Sequence, residues 1–207
     1  MISHRRKFVF VHVSKTGGQS VRKALRPFAL TTAQRLVQYV DTRTLRYDPF
    51  GINQAGSHPN VAKLKSALGD EVFDSYYSFS FVRNPWSRLL SYYYFMKIRP
   101  RSEKHEAAMT LDFNDFINTT IQDAPLRDQS SILLDADGKS LVNFIGRFET
   151  LATDFGHVCE TLGCGCTLPH KNKTKHGDFR TAYNQSSVDI VSRLYANDIK
   201  FFNYNFE

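Results

Sequence analysis

The fold is decided by an apolar stretch, Phe8-Val9-Phe10-Val11-His12-Val13, and by the segment that follows it, Ser14-Lys15-Thr16-Gly17-Gly18-Gln19-Ser20. The first stretch is short, rich in β-formers and apolar on both faces, which is typical of a strand buried in a parallel sheet. The sequence from Val21 to Phe28 then predicts a short basic helix that ends at Pro27. The predicted order is therefore strand, glycine-containing turn and helix.

The segment from Ser14 to Ser20 has the composition of an anion-binding loop. Backbone N–H groups at a helix N-terminus attract anions together with the helix dipole, and Gly17 and Gly18 let the backbone approach an anion closely. Lys15 adds a mobile charge and Ser20 a hydroxyl donor. The alternative is an ordinary strand-to-helix turn. A nucleoside-triphosphate P-loop is disfavoured because Lys15 precedes the glycines and no glycine occurs before position 17.

A second block, Phe81-Val82-Arg83-Asn84-Pro85-Trp86-Ser87-Arg88-Leu89-Leu90-Ser91, includes the end of a strand predicted for Tyr77–Val82. Arg83 stands at the carboxyl end of this strand, where α/β proteins bind ligands. Asn84 and Pro85 provide the cap and first turn of a helix predicted for residues 86–98. Helical spacing places Ser91 on the face of Asn84, Ser87 and Arg88, and an arginine with a hydroxyl can clamp a terminal phosphate. A capped helix whose arginine pairs on the surface is the alternative.

The rest of the chain continues the alternation of strands and helices, which predicts an α/β architecture with a central, mainly parallel sheet flanked by helices. We find no repeat, low-complexity tract or linker, so residues 1–207 are predicted to form a single domain. Further helices are predicted at Thr32–Tyr39, Asn60–Leu68, Leu111–Ile121, Phe148–Leu162 and Ser187–Phe201, and short strands at Ile132–Leu134 and Val142–Ile145.

The basic charge is concentrated at the start of the chain. The net charge is +7, and residues 1–40 contain eight Lys or Arg and no acidic residue. This asymmetry indicates an anionic partner bound by the first forty residues. Charge alone does not distinguish a nucleic acid, a membrane surface and a phosphorylated ligand.

Together the two blocks resemble the PAPS-dependent sulfotransferases, and most closely the carbohydrate (Golgi-type) branch with its bacterial relatives (PAPS is 3′-phosphoadenosine 5′-phosphosulfate). The resemblance implies a three-layer, P-loop-like fold. It implies that the 5′-phosphosulfate is held by Lys15, Thr16, Gly17, Gly18, Gln19 and Ser20, and the 3′-phosphate by Arg83 and Ser91. Gln19 departs from the Ser or Thr usual in the family. The resemblance extends to 144–149, to a basic loop that implies donor contacts from Asn172 and Lys173, and to the closing residues 195–206.

The implied reaction moves a sulfuryl group from PAPS to a hydroxyl of an acceptor, expected to be a carbohydrate or small molecule, and releases PAP. Lys15 is the predicted catalytic cation, since it can neutralise charge on the bridging oxygen as PAP leaves. The acceptor needs a base, and His58 is the predicted one: it precedes Pro59 at a predicted helix start, where the dipole disfavours the imidazolium. His58 as a helix cap is the alternative. His12, in the buried strand, is interpreted as a core residue.

Neither a metal nor membrane insertion is predicted. The sequence contains no carboxylate cluster for a metal, and its cysteines, Cys159, Cys164 and Cys166, are too closely spaced for a zinc knuckle, which favours reduced thiols. No stretch approaches the roughly 18 apolar residues of a membrane span, and the apolar run after Lys7 is too short for a signal peptide. We expect a cytoplasmic enzyme that binds no nucleic acid. A nucleotide kinase and a polyanion-binding or nucleic-acid-binding module remain the alternative functions.

Overall fold

The computed structural model describes residues 1–29, 60–169 and 177–207. The chain divides into two structural units, the first formed by Met1–Val82 and Ile132–Lys171 and the second by Arg83–Ser131 and Asn172–Glu207. A single domain over residues 1–207 stays a prediction. The predicted helix at 32–39 lies outside the described residues, as do three candidate site residues, His58, Asn172 and Lys173.

The sheet belongs to the first unit and has four strands within the described residues. They are β1 (Ile2–Ser3), β2 (Phe8–Val11), β3 (Tyr77–Val82) and β4 (Phe144–Arg147), and they neighbour one another in that order. β1 runs antiparallel to β2, whereas β2 with β3 and β3 with β4 are parallel. The predicted α/β architecture, with a mainly parallel sheet flanked by helices, is confirmed.

The described helices follow from caps and apolar spacing that are visible in the sequence. Asn60 and Asn84 each cap a helix: the Asn60 side chain accepts a hydrogen bond from Lys63 N, and that of Asn84 accepts from Trp86 N and Ser87 N. In chain order the helices are α1 (Gly18–Ala29), α2 (Val61–Leu68), α3 (Asp70–Asp74), α4 (Pro85–Lys97), α5 (His105–Thr110), α6 (Phe113–Phe116), α7 (Ser130–Leu133), α8 (Leu151–Thr161), α9 (Gln185–Leu194) and α10 (Ala196–Phe202).

One face of the sheet is aromatic and forms the core of the first unit. Phe8, Phe10, Phe79 and Phe81 are fully buried, and the rings of Phe10 and Phe79 stack with their centroids 5.3 Å apart. Apolar side chains of α1 and α8 pack on these rings. Burying each ring favours folding by about 1.5–3 kcal/mol, so this layer is a main source of the unit's stability.

The alternation in β3 directs two serines to the opposite face, where their hydroxyls are satisfied. Ser80 Oγ donates to Val11 O at 2.8 Å, which ties β3 to β2 through a side chain as well as through the backbone. Ser78 Oγ donates to Asn143 Oδ1 at 2.8 Å, just before β4. Buried hydroxyl groups need such partners because an unmet one costs stability.

The second unit is helical and has its own core. α4 contributes its apolar face, in which Trp86, Leu89 and Tyr93 are buried, and residues of α5, α6 and α9 complete the cluster. After α6 the chain continues as one π-helical segment, Ile117–Ile121, and a short 3-10 helix, Phe179–Ala182, precedes α9.

Several predicted boundaries were wrong, each for a local reason. Pro27 does not end α1 but lies inside its last described turn. The predicted strand at Ile132–Leu134 overlaps helix α7, whose first turn is capped by Asp128: its carboxylate accepts from Ser130 Oγ and Ser131 N. The strand predicted from Val142 begins at Phe144 instead. The last helix is interrupted at Tyr195, which separates α9 from α10.

Burial of the Asp128 carboxyl opposes its ionisation, but hydrogen bonds from Ser131 and Ser130 outweigh that effect and hold its pKa below the usual value. The cap is therefore charged near neutral pH, which suits the start of a helix. Among the described residues, no helix has both the length and the apolar character needed to cross a membrane.

Candidate functional site

The loop between β2 and α1 is a tight turn built on two left-handed residues. Lys15 has φ 67° and Gly17 has φ 79°. Thr16, fully buried between them, donates from Oγ1 to Val13 O at 2.9 Å and so fastens the turn to the strand. A lysine seldom adopts this conformation, and backbone strain of this kind clusters at functional sites.

The N-terminus of α1 opens from this turn. Ser20 N and Val21 N both donate to Gly17 O, at 2.9 and 3.3 Å, and these bonds begin the helix. The N–H groups of Gly18 and Gln19 stand ahead of them, in the part of a helix that has no partner within it. The first turn contains no acidic residue, and the helix dipole adds positive potential. The loop therefore has the features of an anion site, and it brings together all six predicted residues from Lys15 to Ser20.

The two glycines of the loop are closely packed within the protein, and Gly17 also has a left-handed backbone. A Cβ at Gly17 would lie 2.7 Å from Leu151 Cδ2 and 3.2 Å from Phe148 Cδ2, while a Cβ at Gly18 would overlap the ring of His12. From the sequence, Gly17 and Gly18 were expected to let the backbone approach an anion closely. The structure gives an independent reason for them: this turn packs against its own strand and against the start of α8.

His12 was expected to be a core residue, but it lies beside this loop. It follows β2 directly, is half-buried rather than fully buried, and its ring lies against Gly18 at the start of α1. The apolar run around it suggested a core residue. The signal that was available is its position, one residue past the end of a strand that leads into an anion loop.

The second block begins where β3 ends. Arg83 follows Val82 and is half-buried, and its Nε donates to Ser87 Oγ at 2.9 Å one turn into α4. Ser91 lies one further turn along and is 7% exposed. Within the described part of the chain the Ser91 hydroxyl makes no hydrogen bond. Arg83 therefore directly precedes the cap of α4, and Ser91 lies in the second turn of that helix.

Arg88, in the same block, is a buried structural cation. It is 1% exposed, its NH2 donates to Arg127 O at 2.9 Å, and its NH1 lies 3.9 Å from Asp198 Oδ2. Burial lowers the pKa of the guanidinium, and the Asp198 carboxylate opposes that shift. Arg88 therefore pairs in the interior of the second unit.

Gln129 connects this ion pair to Arg83, and no sequence signal identified it. Arg83 N donates to Gln129 Oε1 at 2.9 Å, and Gln129 Nε2 donates back to Arg83 O at 2.8 Å. Gln129 N and Nε2 also donate to Asp198 Oδ2, and Ser130 N donates to Asp198 Oδ1. Gln129 and Asp198 are both fully buried. The peptide groups of Arg83 are consequently fixed by a network that ends on Arg88.

The end of β4 carries a third cation, Arg147. Its backbone N donates to Asp154 Oδ2 at 2.7 Å, and Thr150 Oγ1 donates to the same oxygen. Phe148 N donates to Val82 O at 2.7 Å, so the residue after β4 closes the carboxyl end of β3. These bonds shape the start of α8, which in turn packs on Gly17.

Gly18→Ala should lower the free energy of unfolding by about 1–3 kcal/mol, because the added methyl group meets the His12 ring in a packed region. His12→Ala removes that ring, so the double variant should lose less than the sum of the two single changes. Urea unfolding of the four proteins measures this coupling.

Gly156→Ala is the matched control for that cycle. Gly156 lies inside α8, and a Cβ there would have no atom within 4 Å. This change should stabilise the protein by about 0.5–1 kcal/mol, since alanine is the better helix former. If the changes at Gly18 and His12 lowered the free energy of unfolding in a strictly additive way, the His12 ring would not obstruct a side chain at position 18.

Gln129→Leu should destabilise the protein by about 1–3 kcal/mol for each buried polar group that it leaves without a partner. Gln185→Leu is the control, because Gln185 also bonds an aspartate, Asp189, but is exposed on α9. This change should alter the free energy of unfolding by no more than about 0.5 kcal/mol. Chemical denaturation compares the two. Equal small effects would show that Gln129 does not hold the network together.

Comparison with known proteins shows the family to which the chain belongs. A protein from Archaeoglobus fulgidus, described only as uncharacterized, is 31% identical over 109 residues, which cover 48% of this chain and 78% of that protein. No solved structure matches. The sequence model described as "Sulfotransferase family" matches residues 1–205, nearly the whole chain. This chain therefore belongs to the sulfotransferase family, a family of transferases.

Proposed function

We propose that this protein transfers a sulfuryl group from PAPS to a hydroxyl group of a carbohydrate or small-molecule acceptor. The observation that carries the proposal is the loop at the N-terminus of α1, with Lys15 and Gly17 left-handed and the Gly18 and Gln19 amides heading the helix. Family membership supports sulfuryl transfer in general. The loop supports an anionic donor.

The residues of the loop suit the 5′-phosphosulfate in charge and in hydrogen-bonding capacity. Backbone amides at a helix start bind phosphate and sulfate oxygens without a metal. Lys15 adds a full charge, and Thr16, Gly17, Gly18, Gln19 and Ser20 are its proposed companions in donor binding. Three further cations on α1, Arg22, Lys23 and Arg26, are exposed and keep the potential around the helix positive.

For the 3′-phosphate we propose Arg83 and Ser91. The guanidinium of Arg83 is oriented by Ser87, and its backbone is fixed by Gln129, so it is prearranged for an anion. A prearranged arginine binds phosphate more strongly than a mobile one, because less side-chain entropy is lost on binding. Asn172 and Lys173, outside the described residues, are proposed donor contacts by resemblance.

Sulfuryl transfer, like phosphoryl transfer, depends mainly on positioning and charge stabilisation. The acceptor oxygen forms a bond to sulfur as the bond from sulfur to the bridging oxygen breaks, and PAP leaves. Lys15 neutralises the charge that develops on that bridging oxygen. His58 is the proposed base that takes the acceptor's proton, and it lies outside the described residues.

The test is a thermal-shift comparison of PAP and ATP on the full chain. PAP at a hundredfold excess over its dissociation constant should stabilise the fold by about 2.7 kcal/mol, a clear increase in melting temperature, and ATP should shift it less. A shift with ATP alone would favour a nucleotide kinase. Binding that depends steeply on salt, without preference for PAP, would favour a polyanion-binding module.

Lys15→Ala and Arg83→Ala should impair transfer in different ways. Arg83 is proposed to contact the donor equally in the ground and transition states, so its loss should mainly raise KM for PAPS. Lys15 is proposed to act as the bridging bond breaks, so its loss should mainly lower kcat. Steady-state kinetics with varied PAPS separates the two parameters.

Lys139→Ala is the control for nonspecific loss of charge, because Lys139 is an exposed cation in the turn between α7 and β4 and is assigned no donor contact. It should leave both parameters within about twofold of wild type, because an exposed charge that contacts no ligand is largely screened. The same change in KM and kcat for Lys15→Ala and Arg83→Ala would contradict the division of roles.

A further inference from the structure

The three cysteines of the chain meet at one point in the first unit. Cys159 Sγ lies 2.6 Å from Cys166 Sγ, and Cys164 Sγ lies 2.8 Å from Cys166 Sγ. All three sulfur atoms are within 4.8 Å of one another. Their spacing along the chain favoured separate reduced thiols. The way the chain folds after α8 brings them together instead.

The backbone that gathers these sulfurs is held by hydrogen bonds. The chain reverses after α8 at Gly163, which has φ 57° and donates from N to Glu160 O at 3.0 Å. Cys164 N then donates to Cys159 O at 2.9 Å, and Cys159 Sγ donates to Cys166 O at 3.2 Å. This is a helix C-terminus closed by a left-handed glycine, so the cluster is prearranged by local structure.

The surroundings of the cluster suit a soft metal ion. Cys159 and Cys164 are buried in the aromatic core of the first unit, whereas Cys166 is half-buried and gives access from solvent. Among the described residues, the group contains sulfur ligands alone and neither a carboxylate nor an imidazole. Thiolates select Zn²⁺, Cu⁺ and similar ions over Mg²⁺ or Ca²⁺.

A metal ion accounts for all three sulfurs, and a disulfide does not. All three cysteines are free, and Cys166 contacts both of the others at once. A disulfide would join Cys166 to one partner and leave the third thiol beside it in the core. One ion with metal–sulfur bonds of about 2.3 Å engages all three, with the sulfurs about 4 Å apart. The sulfurs of Cys159 and Cys164 would each move about 1 Å further from that of Cys166 as the ion binds.

We propose that Cys159, Cys164 and Cys166 bind one thiophilic metal ion, Zn²⁺ in the first instance, with a solvent molecule in the fourth position. Each thiol releases its proton to solvent as its sulfur binds, and no oxidation state changes. The ion would join the loop after α8 to the helix itself. The proposal stands apart from the proposed function, since none of these residues is assigned to the donor or acceptor.

Titration of the full chain with Co²⁺ tests the site, because thiolate ligation gives an intense near-ultraviolet charge-transfer absorption. The protein is purified with reductant, freed of metal with a chelator and titrated anaerobically. We expect the absorption to saturate at one Co²⁺ per chain, Zn²⁺ to abolish it by displacement, and Zn²⁺ to raise the melting temperature.

Two variants and a thiol count make the result decisive. The chain contains only three cysteines, so the triple change to serine removes every possible thiolate. Cys166→Ser alone, at the most accessible position, should fold and lose most of the absorption. Absence of the absorption in the wild type, or its persistence in Cys166→Ser, would overturn the proposal. The proposal would also be overturned if protein kept without reductant contained one free thiol per chain and did not bind Co²⁺, because that result indicates a disulfide.

Discussion

Parallel pairing of β2 with β3 places the carboxyl ends of two strands at one edge of the sheet. Val11 pairs with Ser80 in this register, and the Ser80 hydroxyl adds a bond to Val11 O. The anion loop leaves the sheet from β2, and the chain leaves β3 at Arg83. If the register slipped by one residue, the aromatic side chains of β3 would turn away from α1 and α8. The positions of the Ser14–Ser20 loop and of the carboxyl end of β3 therefore depend on this strand pairing and on the aromatic core that fixes its register.

The buried ion pair of Arg88 with Asp198 has a similar role in the second unit. Such a pair adds little net stability compared with an apolar pair of the same volume, but removing one partner costs about 3–5 kcal/mol. What it provides here is a fixed carboxylate on which the amide groups of Gln129 and Ser130 converge. Arg88 is thus connected to the backbone of Arg83 through Asp198 and Gln129, which are distant from both arginines in sequence.

Local signals in the sequence predicted much of this structure. The apolar run before Lys15, the alternation in Tyr77–Val82 and the Asn84-Pro85 helix start each act within a few residues, and all three are found in the structure. The loop at the N-terminus of α1 was predicted in the same way. The α7 region was misjudged because Ile132–Leu134 is apolar, while the deciding group was the Asp128 cap.

The features that sequence reasoning missed all depend on contacts across the chain. Gln129 bonds Arg83, 46 residues away in sequence, and Asp198, 69 residues away. Gly17 packs against Leu151 and Phe148, and Gly18 packs against His12. Such contacts between distant residues cannot be predicted from the periodicity or the spacing of residues in the sequence. The cysteine cluster involves residues that are close in sequence. It depends on a left-handed turn at Gly163, and the sequence indicates only that a helix ends there.

The left-handed backbone at Lys15 has a consequence for how this loop tolerates change. A non-glycine residue in that conformation costs about 1–2 kcal/mol, which the fastening of Thr16 to Val13 offsets. Glycine would relax the backbone and remove the cation, whereas β-branched residues would add strain and supply no charge. At position 15 the residue that is easiest on the backbone therefore differs from the residue that keeps the positive charge, so a substitution that favours folding would weaken the proposed anion site.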